Sequence, residues 1–220
     1  MPTLVVYPDA GTGNTTVDGV TGRNVAGTWL QVRDGGGSFA FASEVETNCV
    51  YMDSNATPQW WRIYRSIFLF DTSILPDTCT INASIFNAYW TTAVDDYAQS
   101  ISLVSSNPAS NNALVAADYS TLGTTKYATD SVLLDRIGWA YNDLVMNAAG
   151  RAVISKTSVT KLGFRLTSDL SNTAPAIQTS KKTQLYMRMA DYVGTQCDPK
   201  LTITYNAKYD INAIFLGSNF

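Results

Sequence analysis

The chain has 220 residues, 45% of them hydrophobic and 15% charged, with 15 Lys and Arg against 18 Asp and Glu for a formal net charge of -3. That hydrophobic share excludes intrinsic disorder, and the acidic balance excludes nucleic-acid binding, which needs a Lys/Arg surplus to displace counterions. No basic run supports a membrane-surface patch, and apolar runs such as 66–70 are far too short to cross a bilayer.

Residues 4–7 read as a first strand, and no basic or apolar leader region precedes them, so synthesis without a secretory signal is expected. Asp18-Gly19 reads as a turn, and 28–32 alternates like a strand before the breaker Asp34-Gly35-Gly36-Gly37. Residues 60–70 are the strongest segment. Ile67 and Leu69 fall on one side of it and Phe68 and Phe70 on the other, which predicts a central strand covered on both faces. After the Pro76-Asp77 turn, 81–90 places Ile81, Ala83, Ile85 and Tyr89 on one side and Phe86, Ala88 and Trp90 on the other. Residues 101–104, 162–166, 184–190 and 200–205 complete the predicted strands, and 148–155 forms a short helix with Asn147 as N-cap. Short strands separated by Gly, Pro and Asn turns predict one all-β domain over 1–205: a jelly-roll-like antiparallel β-sandwich with at most one short helix. Residues 206–220 are very apolar for a terminus. Tyr209, Ile211, Ile214, Phe215, Leu216 and Phe220 are therefore read as an arm, packed on its own sheet or laid on a neighbouring subunit.

The chemistry of catalysis is thinly supplied. The chain has no histidine, only the glutamates Glu44 and Glu46, and aspartates that sit mostly in turn contexts. No enzyme activity, metal or cofactor is expected. The adjacent Asp95-Asp96 lacks the pattern of a calcium loop, and Cys49, Cys79 and Cys197 have no ligand spacing and read as free thiols. Tryptophans offer the alternative of a sugar-stacking platform, with Trp60, Trp61, Trp90 and Trp139 as glycan candidates and Tyr141 beside them.

Two stretches carry a family resemblance: Arg65-Ser-Ile-Phe-Leu-Phe-Asp-Thr-Ser-Ile-Leu-Pro-Asp with Ile81-Asn-Ala-Ser-Ile-Phe, and Asp198-Pro-Lys-Leu-Thr-Ile-Thr-Tyr at the close. Over most of residues 3–205 the chain resembles the DNRLRE-type β-sandwich module, related to carbohydrate-binding modules, in the stand-alone form seen in tailed-phage and environmental viral genomes. The resemblance implies a sandwich and leaves function open. Within it Arg65 reads as a structural brace, holding loop carbonyls or pairing with Asp71. With the apolar arm, the expectation is a non-enzymatic virion protein: a capsid decoration (cement) protein or head fibre, bridging the major capsid protein as a homo-oligomer, a trimer by preference. The alternative is a glycan-binding adhesin module of a phage tail or baseplate.

Overall fold

The computed structural model describes residues 1–55, 59–133 and 138–207. Its strands in chain order begin with β1 (Thr3–Val6), β2 (Asp18–Gly27), β3 (Phe39–Phe41), β4 (Glu46–Ser54), β5 (Trp60–Asp71) and β6 (Thr80–Asp95). They continue with β7 (Ser100–Ser105), β8 (Ser131–Val132), β9 (Ala140–Val145), β10 (Val159–Leu166), β11 (Lys182–Arg188) and β12 (Lys200–Asn206). Between them lie the helices α1 (Trp29–Asp34), α2 (Ala148–Ala152) and α3 (Thr167–Ser171), and a 3-10 turn over Ala116–Thr121. Strands make up 46% and helices 12%, so the protein is an all-β, sandwich-like antiparallel fold.

The hydrogen-bonded order is β1-β12-β6-β11-β4-β5-β10-β7-β8, with β2 on β5, β3 on β2 and β9 on β6. Two long strands organise this path. The first half of β5 pairs with β4 and its second half with β10. In the same way β6 serves β12 and then β11 along one edge, with β9 on the other. The two long strands face each other across the core, where the rings of Phe68, Phe86 and Phe164 meet pairwise at centroid separations of 5.0 Å in edge-on geometry.

The alternation in β5 works as read. Phe68 and Phe70 enter this main core, while Ile67 and Leu69 join Val17, Val104, Leu122 and Leu170 in a second cluster on the opposite face. In β6, Phe86, Ala88 and Trp90 are buried and Ala83, Ile85 and Tyr89 look outward, but a register shift beyond Ala83 turns Ile81 against the main core, which corrects its place in the alternation.

Several expectations are corrected. Residues 28–32 are no strand: Thr28 Oγ1 accepts the Gln31 N–H while the Gln31 side chain accepts the Thr28 N–H, a reciprocal cap that starts α1. The T-x-x-Q spacing outweighed the apparent alternation. With α1, α3 and the 3-10 turn added to the expected α2, the described residues hold four short helices rather than at most one. Asp18-Gly19 is the start of β2, paired to Phe68 and Ile67, and not a turn. The cap of α2 is as read, with Asn147 Oδ1 accepting the Gly150 N–H at 2.9 Å. All three cysteines are free thiols. The arm residues Tyr209, Ile211, Ile214, Phe215, Leu216 and Phe220 lie outside the described residues.

Candidate functional site

The outer face of β9, β6, β12 and β1 brings aromatic, amide, carboxylate and ammonium groups together. It exists because strands alternate: while Phe86, Leu144 and Leu201 fill the core, their neighbours must point to solvent. Register then sets who meets whom. Tyr89 lies opposite Tyr141, Asn87 opposite Asp143 and Ile85 opposite Val145. On the other edge of β6, Lys200 lies opposite Asn87 and Thr202 opposite Ile85. Val5 of β1 extends the row beside Thr202.

Two chemistries share this face. Across its middle runs a polar relay, in which the Thr202 hydroxyl donates to Asn87 Oδ1 at 2.8 Å and Asn87 Nδ2 donates to Asp143 Oδ1 at 2.6 Å. The relay fixes the Asn87 amide and leaves Asp143 exposed at its end. At one end stands an aromatic group. Tyr89 and Tyr141 meet edge to face at 5.5 Å, and Lys200 Nζ lies 3.9 Å from the Tyr141 ring centre. Burial, with Tyr7 and the Asp198 carboxyl nearby, pushes the Tyr141 hydroxyl up, so it stays protonated and donates to the Asp198 carbonyl at 2.9 Å.

Trp139 crowns that end. It is 61% exposed, although a free indole on water is unfavourable, and its backbone sits at φ +58° in the left-handed region. For a bulky residue that conformation costs roughly 1–2 kcal/mol. Two hydrogen bonds to β6 hold it there: the Trp139 N–H donates to the Trp90 carbonyl at 2.6 Å, and the Tyr89 hydroxyl donates to the Trp139 carbonyl at 2.8 Å. The Arg188 guanidinium lies 5.4 Å from the indole centre and 4.3 Å from the Tyr192 ring. Glu46 orients that arginine through Oε2 at 2.8 Å and takes the Thr91 hydroxyl on Oε1. The result is one exposed indole beside half-buried phenol rings and fixed donors and acceptors.

Comparison with protein-family models and with curated proteins returned no match.

The four candidate tryptophans part company. Trp60 and Trp90 are buried, which corrects their reading as ligand contacts. Trp60 packs edge-on against Trp29 at 5.1 Å, and Trp90 lies against Phe164 at 5.7 Å in the main core. Trp61 is half-buried on another face, with the Arg62 guanidinium 4.6 Å from its ring. Only Trp139 of the four stands out in solvent. The sequence reading named Tyr141 but missed Tyr89, Asn87, Asp143, Arg188, Tyr192 and Lys200. A signal was there: 141–146 alternates Tyr141, Asp143 and Val145 against Asn142, Leu144 and Met146, the mark of a half-buried strand.

Arg65 is a brace, with a different partner. Its carboxylate is Asp169 rather than Asp71, reached through Nε at 2.8 Å and Nη2 at 2.6 Å, while its other donors hold the carbonyls of Tyr119 and Arg33. Arg165 grips the same carboxylate from β10. Burial by itself would raise the Asp169 carboxyl, but the Arg65 charge and the hydrogen bonds from both arginines outweigh it and hold the value at about 2. Asp71 turns instead to its own loop, accepting the Ser73 N–H and hydroxyl. The Asp95-Asp96 pair is likewise spent locally: Asp95 accepts from the Gln99 N–H and the Thr183 hydroxyl, and Asp96 from the Lys182 N–H and Lys181.

Proposed function

We propose that the protein is a non-enzymatic binding module whose ligand is a glycan chain laid across the outer face of β9, β6 and β12. The observation that carries this reading is Trp139, held exposed in a costly backbone conformation by two hydrogen bonds, at the end of an ordered polar row. Strain kept at an exposed aromatic is a mark of use rather than of stability. Sugar rings offer flat C–H faces that stack on indole and phenol rings, and hydroxyls that pair with groups such as Asp143 and Lys200. The resemblance expected from the sequence of 65–77 and 198–205 is to modules related to carbohydrate-binding ones, which fits the same reading. The test is a glycan array with the purified chain, followed by titration of any hit against Trp139→Ala and Asp143→Ala. Both substitutions should weaken binding at least tenfold; unaltered affinity in both overturns the proposal.

A second reading, the capsid decoration protein or head fibre, keeps one supporting observation. β12 ends at Asn206 beside β1, whose outer edge pairs with no other described strand and is open to strand addition. Deleting 206–220 and measuring oligomeric state and capsid occupancy tests it; no change in either sinks it. The two readings are compatible in a virion surface protein that also holds host glycans.

A further inference from the structure

Between the α2–β10 connection and the turn that enters β6 lies a cavity of about 390 Å³. Arg151 of α2 and Lys156 beyond it line the cavity, and Ile81, Ile154, Ala148 and Ala152 add apolar surface. No acidic side chain is among the residues that line it. Both charged heads are anchored on main-chain oxygens. Arg151 Nη1 donates to the Met146 carbonyl at 3.1 Å, and Lys156 Nζ donates to the Cys79 carbonyl at 2.7 Å and the Asp77 carbonyl at 3.3 Å.

Carbonyls orient a cation without neutralising it. Arg33, Arg62, Arg65, Arg165 and Arg188 each meet a carboxylate within the fold. Among the described residues neither Arg151 nor Lys156 does. Uncompensated like charges lining one cavity repel, and low-dielectric walls make that repulsion stronger than in water. Donors are also in surplus here. A guanidinium carries five N–H bonds and an ammonium three, of which these contacts use one and two respectively. No Arg151 nitrogen is a buried unpaired atom, so its spare donors are open to a ligand.

We infer that this cavity binds a small organic anion: an oxyanion head carried on a short apolar body. The two cations decide the head, since they favour negative charge and reject a cationic ligand. A guanidinium fork pairs with carboxylate and phosphate alike, so the shared chemistry is the oxyanion. The remaining wall decides the body. The cavity falls within the roughly 300–1,000 Å³ of small-molecule sites, and a bare ion would leave Ile81 and Ile154 uncovered. Aliphatic side chains gain by covering a ligand's carbon surface, which a bare ion lacks.

Local structure explains why the two cations sit together. Asn147 caps the turn that carries Arg151, and the connection that follows delivers Lys156 to the carbonyls of Asp77 and Cys79. Lys156 thereby straps the α2–β10 connection to the turn before β6, and a bound anion would add a second tie through Arg151. None of these residues belongs to the outer-face row of Tyr89, Asn87, Asp143 and Lys200, so the inference stands apart from the glycan reading.

The experiment titrates the full chain by calorimetry at low salt with phenyl phosphate, benzoate, inorganic phosphate and the neutral benzyl alcohol. At least one aromatic anion should bind with a Kd of about 1 mM or tighter. Inorganic phosphate should bind about tenfold more weakly, and benzyl alcohol should give no heat. A preference for phenyl phosphate assigns the head as phosphate, and a preference for benzoate assigns it as carboxylate; both support the site. Arg151→Gln and Lys156→Gln should each weaken binding about tenfold, while Lys126→Gln, from an exposed ion pair outside this cavity, leaves it unchanged. Should Lys156→Gln fail to fold for want of its strap, Lys156→Arg keeps the charge and should keep the binding. No heat from either aromatic anion up to about 10 mM overturns the inference, as does undiminished affinity in the Arg151→Gln chain. Inorganic phosphate binding as tightly as phenyl phosphate overturns it too, by showing charge attraction without a place for the body.

Discussion

Arg65 on β5 and Asp169 on α3, 104 positions apart, meet as a two-pronged ion pair at 2.8 and 2.6 Å, with the Arg65 guanidinium lying 3.9 Å from the Tyr119 ring. Because Arg165 bonds to the same carboxylate and Arg33 Nε donates to the Asp169 carbonyl, this one aspartate ties together β5, β10, α1 and α3. Asp169→Asn keeps the shape and removes the charge that two buried arginines rely on. The expected loss is about 3–5 kcal/mol of unfolding free energy, measured by urea denaturation. A loss under about 1 kcal/mol would show that the arginines find other acceptors. In the intact protein the Asp169 carboxyl sits at about 2, below its unfolded value of 3.8. Its contribution is therefore complete above pH 3.8 and fades as pH falls through 2.

Asp18 carries the opposite sign. Its folded value of about 8 lies far above the unfolded 3.8, so the folded state binds the extra proton between them. Its contribution is complete below pH 3.8 and is lost as pH rises through 8. The protein should thus have a lower Tm at pH 8.5 than at pH 5.5, and Asp18→Asn should flatten that slope. A pH-independent Tm for the wild-type chain across this window would contradict the assignment.

Trp139 separates binding from stability. Both Trp139→Ala and Trp139→Gly remove the indole and should lose glycan binding alike. Glycine adopts φ +58° freely and alanine does not, so the glycine variant should be the more stable of the two by about 1 kcal/mol. Equal stabilities would mean that the backbone relaxes once the indole is gone.

Thr28 should matter beyond its short helix. Thr28→Ala removes the reciprocal cap of α1, at a cost of about 1 kcal/mol in chemical denaturation. The helix carries Trp29 against Trp60, and Trp29 Nε1 donates to Asn172, so a larger loss would show that the cap positions the whole corner.

How much was legible follows the range of the interactions. The two faces of β5 and β6 could be read from alternation, because burying one row of side chains exposes the next whatever the partner strand is. The cap at Asn147 could be read because it closes within three residues. Residues 28–32 misled because five residues fit two periods, and a side-chain bond to Gln31 decided between them. The outer face was only glimpsed through Trp139 and Tyr141. Its other members come from β6, β11 and β12, and nothing local says that Asn87 will lie between Asp143 and Lys200.

By itself, then, the sequence determined an all-β fold, a central strand with two apolar faces and a shortage of acid–base groups, since these follow from composition and from the period of the strand. Tertiary structure decided which tryptophan reaches solvent, which aspartate answers Arg65, and that Asp18 is buried close to Asp191 and Asp198. Each of those outcomes depends on strand register and loop closure between segments far apart in the chain, and pairing energies of that kind leave no periodic trace in the residues that make them.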